Sequence, residues 1–333
     1  MNPEWRAFLA MRGGRSGGDT PADCTLFDLT HLGLIAARGA DAAAFLQGQL
    51  TADVRTVTDS HSQLAGYCSP KGRMLALFRV MRSADGFYLQ TPREHVADTL
   101  KRLRLHVLRA KVTLDDASDG PIRIGCSGSG TTGALGRLGL VLPESDNDVI
   151  STDGVTVLRL PSAVPRFELI GAVEPIAALW DALAPGCAPG DADGWALLDI
   201  RAGLPSVYTA TAEAFVPQMV NLQQMDAVSF NKGCYVGQEV VARMQYLGTL
   251  KRRMYLAEVE SQTPLNPGDL LYAPGSTSEQ GAGRVVDARP TGAGRYELLA
   301  VVEIEAAGGE VRLGAQGPRL RLSPPPYGFS AQS

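Results

Sequence analysis

Apolar residues recur along this chain with two periods, and the alternation between them predicts a mixed fold. From Cys24 to Ala37 the run is strand-like. GADAAAFLQGQLTADV (39–54) then sets Ala42, Phe45, Leu46 and Leu50 at helical spacing behind an Asp41 start signal. SQLAGYCSPKGRMLALFRVMRS (62–83) reads as two extended segments around a Ser-Pro-Lys-Gly turn, and FYLQT (87–91) adds a strand. REHVADTLKRLRLHVLRAKVTL gives a helix with Val96, Leu100, Leu103 and Val107 on one face, followed by a strand. A shorter version of that order returns in PIRIGC (121–126), a small helix near Leu135, VTVLRLP (155–161), RFELIG (166–171) and a helix from Glu174 to Leu183. Two α+β units with strands grouped in pairs predict mainly antiparallel sheets with helices on one face.

DADGWALLDIRAGLPSV (191–207) places Trp195, Leu198 and Ala202 on one helical face, stopped by Gly203 and Pro205. Beyond Leu250 the texture becomes short β segments broken by glycine and proline, which suggests a small barrel or sandwich. At the ends, a short helical candidate (Pro3 to Met11) and GGRSGGD describe a flexible leader, and PPPYGFSAQS reads as loose. The resulting division is a leader (1–23), a first α+β unit (24–118), a second (119–192), a helix with a motif-rich segment (193–249), a C-terminal β-barrel (250–326) and a tail (327–333).

Composition narrows the function classes. In 333 residues, 45% apolar and 20% charged content describes an ordinary soluble protein of two or three domains. A net charge of −4 argues against strong direct nucleic-acid binding. No run approaches the roughly 20 apolar residues of a spanning helix, and Glu4 and Arg6 stand where a secretory apolar core would lie. The five cysteines, at 24, 68, 126, 187 and 234, are far apart and form no CxxC or Cys/His cluster. They predict a reducing, cytoplasmic setting and no metal site. GCSGSGTTGALG (125–136) lacks both GxGxxG and a P-loop ending, so it reads as a loop before a short helix. Lys101, Arg102, Arg104, Arg109 and Lys111 alternate with leucines and read as a solvated helix face.

The candidate chemistry concentrates in NLQQMDAVSFNKGCYVGQEVVARM (221–244). Cys234 lies between Gly233 and Tyr235, after Lys232 and ahead of Arg243, where positive charge and a helix start near Gly237 favour a thiolate. Two readings stand at this point: a nucleophile or soft ligand, and a small buried hydrophobe at a turn. Gly233 and Gly237 allow close backbone approach, and Gln238-Glu239 supply an amide and a carboxylate beyond them.

KGCYVGQE closely resembles the signature of the folate-binding YgfZ family, relatives of the aminomethyltransferase (T-protein) of the glycine cleavage system. The resemblance extends over roughly 24–325 through GADAAAFLQGQLTADV, WALLDIRAGLP and FVPQMVNLQQMDAVSFNKGCYVGQEVVAR. It implies a T-protein-like α+β fold, with three domains around a central hole for tetrahydrofolate or a one-carbon derivative and a C-terminal β-barrel. It also implies support for maturation or repair of iron–sulfur enzymes, one of which thiomethylates tRNA, with client enzymes or assembly proteins as partners. The site residues implied are Cys234 as essential thiol with Lys232 and Glu239, and folate contacts from Trp195, Arg201, Gln218, Asn221, Tyr235, Gln238 and Arg243.

Departures from the pattern matter. Where a T-protein carries paired carboxylates in its second hairpin strand, this chain reads Arg73-Met74-Leu75-Ala76, which argues against a true aminomethyltransferase. Arg201 stands where relatives often have a pterin-binding glutamate; a guanidinium accepts no hydrogen bonds, so pairing with a folate carboxylate is expected instead. A second pocket tryptophan of some relatives aligns with Leu32. Two alternatives stay open: a folate-dependent one-carbon transferase with Glu239 and Asp226 as acid or base, and a non-catalytic scaffold whose barrel binds proteins.

Overall fold

Segments of the chain interleave to build two compact units: Met1–Phe45, Val54–Gln63 and Arg79–Trp195 form one, and Leu46–Asp53, Leu64–Phe78 and Ala196–Ser333 the other. The computed structural model describes residues 1–12, 23–274, 276 and 281–329, so GGRSGGD and the last four residues of the tail lie outside the described residues.

Elements are numbered in chain order. The first unit opens with α1 (Pro3–Met11), β1 (Thr25–Asp28) and β2 (Leu32–Arg38), and the chain then crosses into the second through α2 (Ala42–Gln49). The hairpin β3 (Gln63–Cys68) and β4 (Met74–Ser83) turns at Ser-Pro-Lys-Gly as the pattern predicts, and β4 runs on into the first unit. There the chain continues as β5 (Gly86–Pro92), α3 (Val96–Arg104), β6 (Thr113–Asp116), β7 (Ile122–Ser127) and α4 (Thr131–Arg137). β8 (Val149–Thr152), β9 (Val155–Arg159), β10 (Arg166–Gly171), α5 (Val173–Leu183), β11 (Ala188–Gly190) and α6 (Ala192–Ala202) follow. α3 stops at Arg104, so Val107, Arg109 and Lys111 fall beyond the helix; Lys101, Arg102 and Arg104 form its solvated face while Leu100 and Leu103 are buried.

One six-stranded sheet of this unit has the order β11-β1-β7-β10-β9-β8, antiparallel except for β1 against β11. β11 contains Pro189, which an edge strand tolerates because no ladder donor is lost there. In the other sheet β5 pairs with the second half of β4 and with β2, and β2 with β6.

Two expectations about this unit are corrected. Residues 1–12 are packed rather than flexible: Trp5 of α1 is fully buried, stacked on Phe8 and edge-on to Trp180, because its indole completes the apolar cluster under the six-stranded sheet. The cysteines are not all unpaired either. Cys24 and Cys187 form a disulfide with Cα atoms 4.6 Å apart, brought together by the β1–β11 register in which Thr25 faces Ala188. The reducing compartment inferred from the cysteines therefore loses its basis.

The second unit carries β12 (Arg252–Glu260), β13 (Leu270–Tyr272), β14 (Gly283–Gly292), β15 (Arg295–Glu303), β16 (Arg312–Leu313) and β17 (Arg321–Ser323). They form an antiparallel sheet in the order β16-β13-β14-β15-β12-β17, curled as a half-barrel around Ala257, Val259, Leu271, Val285, Leu298 and Ala300. Its other face, with Met254, Val286, Leu299 and Val301, packs on Ile200, Phe215, Leu222 and Val241. The start of the tail is anchored rather than loose: the Tyr327 hydroxyl donates to Gly203 O at 3.0 Å, and Phe329 packs edge-on to Tyr255.

Candidate functional site around Cys234

The motif-rich segment belongs to the second unit and is folded mainly by its own backbone. Two short 3₁₀ turns, Pro217–Val220 and Leu222–Met225, are separated by Asn221 and closed by Asp226, both left-handed at φ 60° and 53°. Asn and Asp tolerate that region better than branched residues do. An irregular run then leads through Cys234 to α7 (Gln238–Tyr246), which starts at Gly237 with φ 83°.

Gly237 and Gly72 interlock. A Cβ on Gly237 would lie 2.5 Å from Ser69 O and 3.0 Å from Gly72 Cα, and one on Gly72 would lie 2.8 Å from Val240 Cβ. Both also have positive φ, so each needs glycine for conformation and for space. The hairpin turn between β3 and β4 is thereby fixed against the start of α7.

Lys232 holds the other side of the run. Its buried ammonium donates to Leu50 O and Ala52 O, each at 2.7 Å, and stands 5.2 Å from the Tyr235 ring centroid. A charged donor satisfying two carbonyls is an anchor, so its charge is engaged with the backbone. Gln218 and Asn221 act similarly: Gln218 Nε2 donates to Val241 O at 2.7 Å and Asn221 Nδ2 to Met254 O at 3.0 Å.

Cys234 itself is exposed, whereas Cys68 and Cys126 are buried, which pushes both of those thiols up to about 12. The buried-hydrophobe reading of Cys234 is therefore excluded by position. Glu239 and Arg243 are exposed on α7 and Gln238 is half-buried at its first turn. Asp226 is exposed.

Around this segment several polar atoms are buried without a protein partner: Ser69 Oγ, Gln218 Oε1, Asn221 Oδ1, Gln223 Oε1 and the Tyr235 hydroxyl. Burial pushes the Tyr235 hydroxyl well up, and neighbouring Cys68 adds to the shift. Unmade hydrogen bonds in buried positions cost about 1–3 kcal/mol each, and three of these five atoms are pure acceptors. The amino and ring N–H edge of a reduced pterin supplies donors to match, so the residues present fit that group.

Two residues expected at a folate pocket are placed otherwise. Trp195, in the first unit, is 1% exposed. Its indole lies against β7, where a Cβ on Gly125 would come within 2.3 Å of Cζ3, and the Arg166 guanidinium sits 3.9 Å from the ring centroid. Phe27 tilts against it as well, so the indole is a core ring with no open face. Arg201 makes a two-pronged ion pair with Glu297, at 2.8 and 2.7 Å, so its planar fork is already filled and is not open to a folate carboxylate.

Sequence reasoning missed a triad of the second unit built on a buried carboxylate. Tyr208 donates to Asp287 at 2.7 Å, and Arg289 Nη2 reaches both the tyrosine oxygen at 2.8 Å and the carboxylate at 3.0 Å. Burial raises Asp287 to about 6 despite Arg289. An aspartate inside the apolar run VVDA was the one available signal.

Comparison with known proteins places this geometry among relatives. Residues 19–144 match the GCVT N-terminal domain family. The chain is 33% identical over 306 residues to the tRNA-modifying protein YgfZ of Klebsiella pneumoniae, covering 91% of this chain and 93% of that one. It is 32% identical over 310 residues to the protein of the same name from Yersinia pestis, covering 92% and 93%. Among solved structures, the glycine cleavage system aminomethyltransferase T of Bartonella henselae superposes with a TM-score of 0.73 over 96% of each chain at 18% identity, a likeness of fold.

Proposed function

The chain belongs to the YgfZ family of tRNA-modifying proteins, and on that premise we propose that it is a folate-binding accessory protein for iron–sulfur enzymes, among them one that modifies tRNA, with Cys234 as its working thiol. The observation that carries the reading is the exposure of Cys234 in the family signature while Cys68 and Cys126 are sealed in apolar cores. An accessible thiol can attack an electrophile or hold a soft metal centre in transit; a buried one with a raised pKa does neither.

Tetrahydrofolate, when bound, supplies a nitrogen that carries one-carbon units. Gln218, Asn221 and Gln223 would hold its N–H edge through their unpartnered carbonyl oxygens, and the Ser69 and Tyr235 hydroxyls can donate or accept as the ligand requires. Gly72 and Gly237 keep the hairpin turn and the start of α7 in fixed register beneath the thiol's loop. Transfer of an aminomethyl group is the weaker reading, because β4 begins Met74-Leu75-Ala76-Leu77-Phe78, all buried and apolar, with no carboxylate in that stretch.

Complementation tests the proposal. In a strain lacking its own member of the family, the wild-type chain is expected to restore an iron–sulfur tRNA-thiomethylating enzyme, and Cys234→Ala to fail at equal protein level. Full restoration by Cys234→Ala would remove the thiol from the function. Calorimetric titration with tetrahydrofolate tests the folate half separately, with Gln218→Leu expected to weaken binding.

A further inference from the structure

Two large cavities of the second unit lie on the half-barrel sheet, and their charges are arranged in opposite ways. One, of about 980 Å³, is balanced: Glu258, Glu260 and Glu297 offset Arg295, Arg319 and Arg321, with Arg321 paired to Glu258, Arg295 to Glu260, and Glu297 to Arg201 beyond the wall. Such a wall has little charge left to offer a ligand. The other, of about 1120 Å³, is lined by Lys71, Arg73, Lys251, Arg252 and Arg284 against Glu213, Glu303 and Glu305, a surplus of two positive charges in a chain of net −4.

In this second cavity the fixed and free cations can be told apart. Arg252 is spent on Glu303 at 3.0 Å and Gly281 O at 2.7 Å, and Arg73 on the carbonyls of Glu213 and Ala214 at 3.3 and 2.9 Å. Lys71, Lys251 and Arg284 have no side-chain partner among the described residues. They come from three separate places: the β3–β4 turn, the residue before β12, and β14. Phe215, Met219, Leu250, Val301 and Ile304 add apolar surface to a wall that also carries Glu213 and Glu305. Apolar surface beside unpaired cations strengthens their attraction for an anion.

We propose that this cavity is a binding site for a small polyanion, a molecule carrying two or more phosphate or carboxylate groups close enough together to be met by Lys71, Lys251 and Arg284 at once. A single charge would engage one of the three, whereas a compact polyanion recruits all of them. The two glycines that lock the Lys71 turn against α7 fix one wall of the site in place. The proposal stands independently of folate binding, since none of the three cations belongs to the folate reading.

Isothermal titration of the full chain with tripolyphosphate and, separately, with citrate at low salt distinguishes phosphate from carboxylate chemistry. Saturable 1:1 binding of at least one probe is expected, weakened steeply by added salt. Lys251→Ala with Arg284→Ala should lower the affinity at least about tenfold, equivalent to about 1.4 kcal/mol, and Lys71→Ala alone should lower it less. Arg201→Ala, which releases Glu297 at the other cavity, should leave it unchanged. The side chains of these cations have no partner among the described residues, so circular dichroism and melting should match the wild type. No saturable binding of either probe, equal binding by the double variant, or binding restricted to long single-stranded RNA would each overturn the proposal.

Discussion

Replacing Lys232 by methionine separates its two possible roles. The substitution keeps the length and most of the volume of the stem but deletes the ammonium that bridges Leu50 O and Ala52 O. The two carbonyls left buried without a donor cost about 1–3 kcal/mol each, a net loss of about 2–6 kcal/mol. For a unit of this size that corresponds to a fall of roughly 4–24 °C in melting temperature. The assay is thermal and urea unfolding of wild type and Lys232→Met, together with the rate at which iodoacetamide alkylates Cys234 in each folded protein. An anchoring lysine predicts the stability loss with an alkylation rate changed less than about threefold. Unchanged unfolding with a strongly slowed alkylation would refute the reasoning and make Lys232 a charge neighbour of the thiol.

Three further outcomes follow from burial and backbone geometry. Asp287, raised to about 6 from an ordinary 3.8, takes up its proton more readily folded than unfolded. Its contribution to stability therefore grows as pH falls through 6 toward 4, by about 1 kcal/mol between pH 7.5 and 5. Urea midpoints of Asp287→Asn should lack that increment, and an identical pH response would contradict the assignment. Under native conditions iodoacetamide is expected to modify Cys234 alone, Cys68 and Cys126 only after unfolding, and Cys24 and Cys187 only after reduction; peptide mass spectrometry reads the pattern. Gly237→Ala should destabilise by at least about 1–2 kcal/mol, since a left-handed alanine is disfavoured and its Cβ would press on the Ser69 carbonyl; a melting curve superposable on the wild type would show that the contact yields.

Local patterns were legible wherever one face of an element is apolar and the other wet. α3 and β12 were readable for that reason, and the β3–β4 hairpin from its Ser-Pro-Lys-Gly turn between apolar runs. What escaped was decided by partners distant in sequence. Residues 149–152 and 188–190 are too short for periodicity, and become strands only because β9 and β1 lie beside them. The Cys24–Cys187 bond spans 163 residues and depends on that same register. Trp5 looked like part of a leader because nothing in PEWRAFLAM reveals the cavity awaiting its ring. Within the site, the motif marked Cys234 and its glycines correctly as a turn into a helix. It could not reveal that Lys232 faces inward to Leu50 and Ala52, or that Glu297, 96 positions away, claims Arg201.

The crossing of the chain between its two units bears on how the protein is made. Leu46–Asp53 and Leu64–Phe78 leave the ribosome early, yet the rest of their unit begins only at Ala196. During that interval Met74 and Leu77, buried in the finished protein, lack Ile200, Val207, Phe215 and Leu222, which complete their cluster. A nascent chain with such a wait depends on shielding of that strand until the second half arrives. Cutting the gene at Ala196 would divide one core between two fragments, since Cys68, Met74 and Leu77 pack with Ile200, Phe215 and Val301.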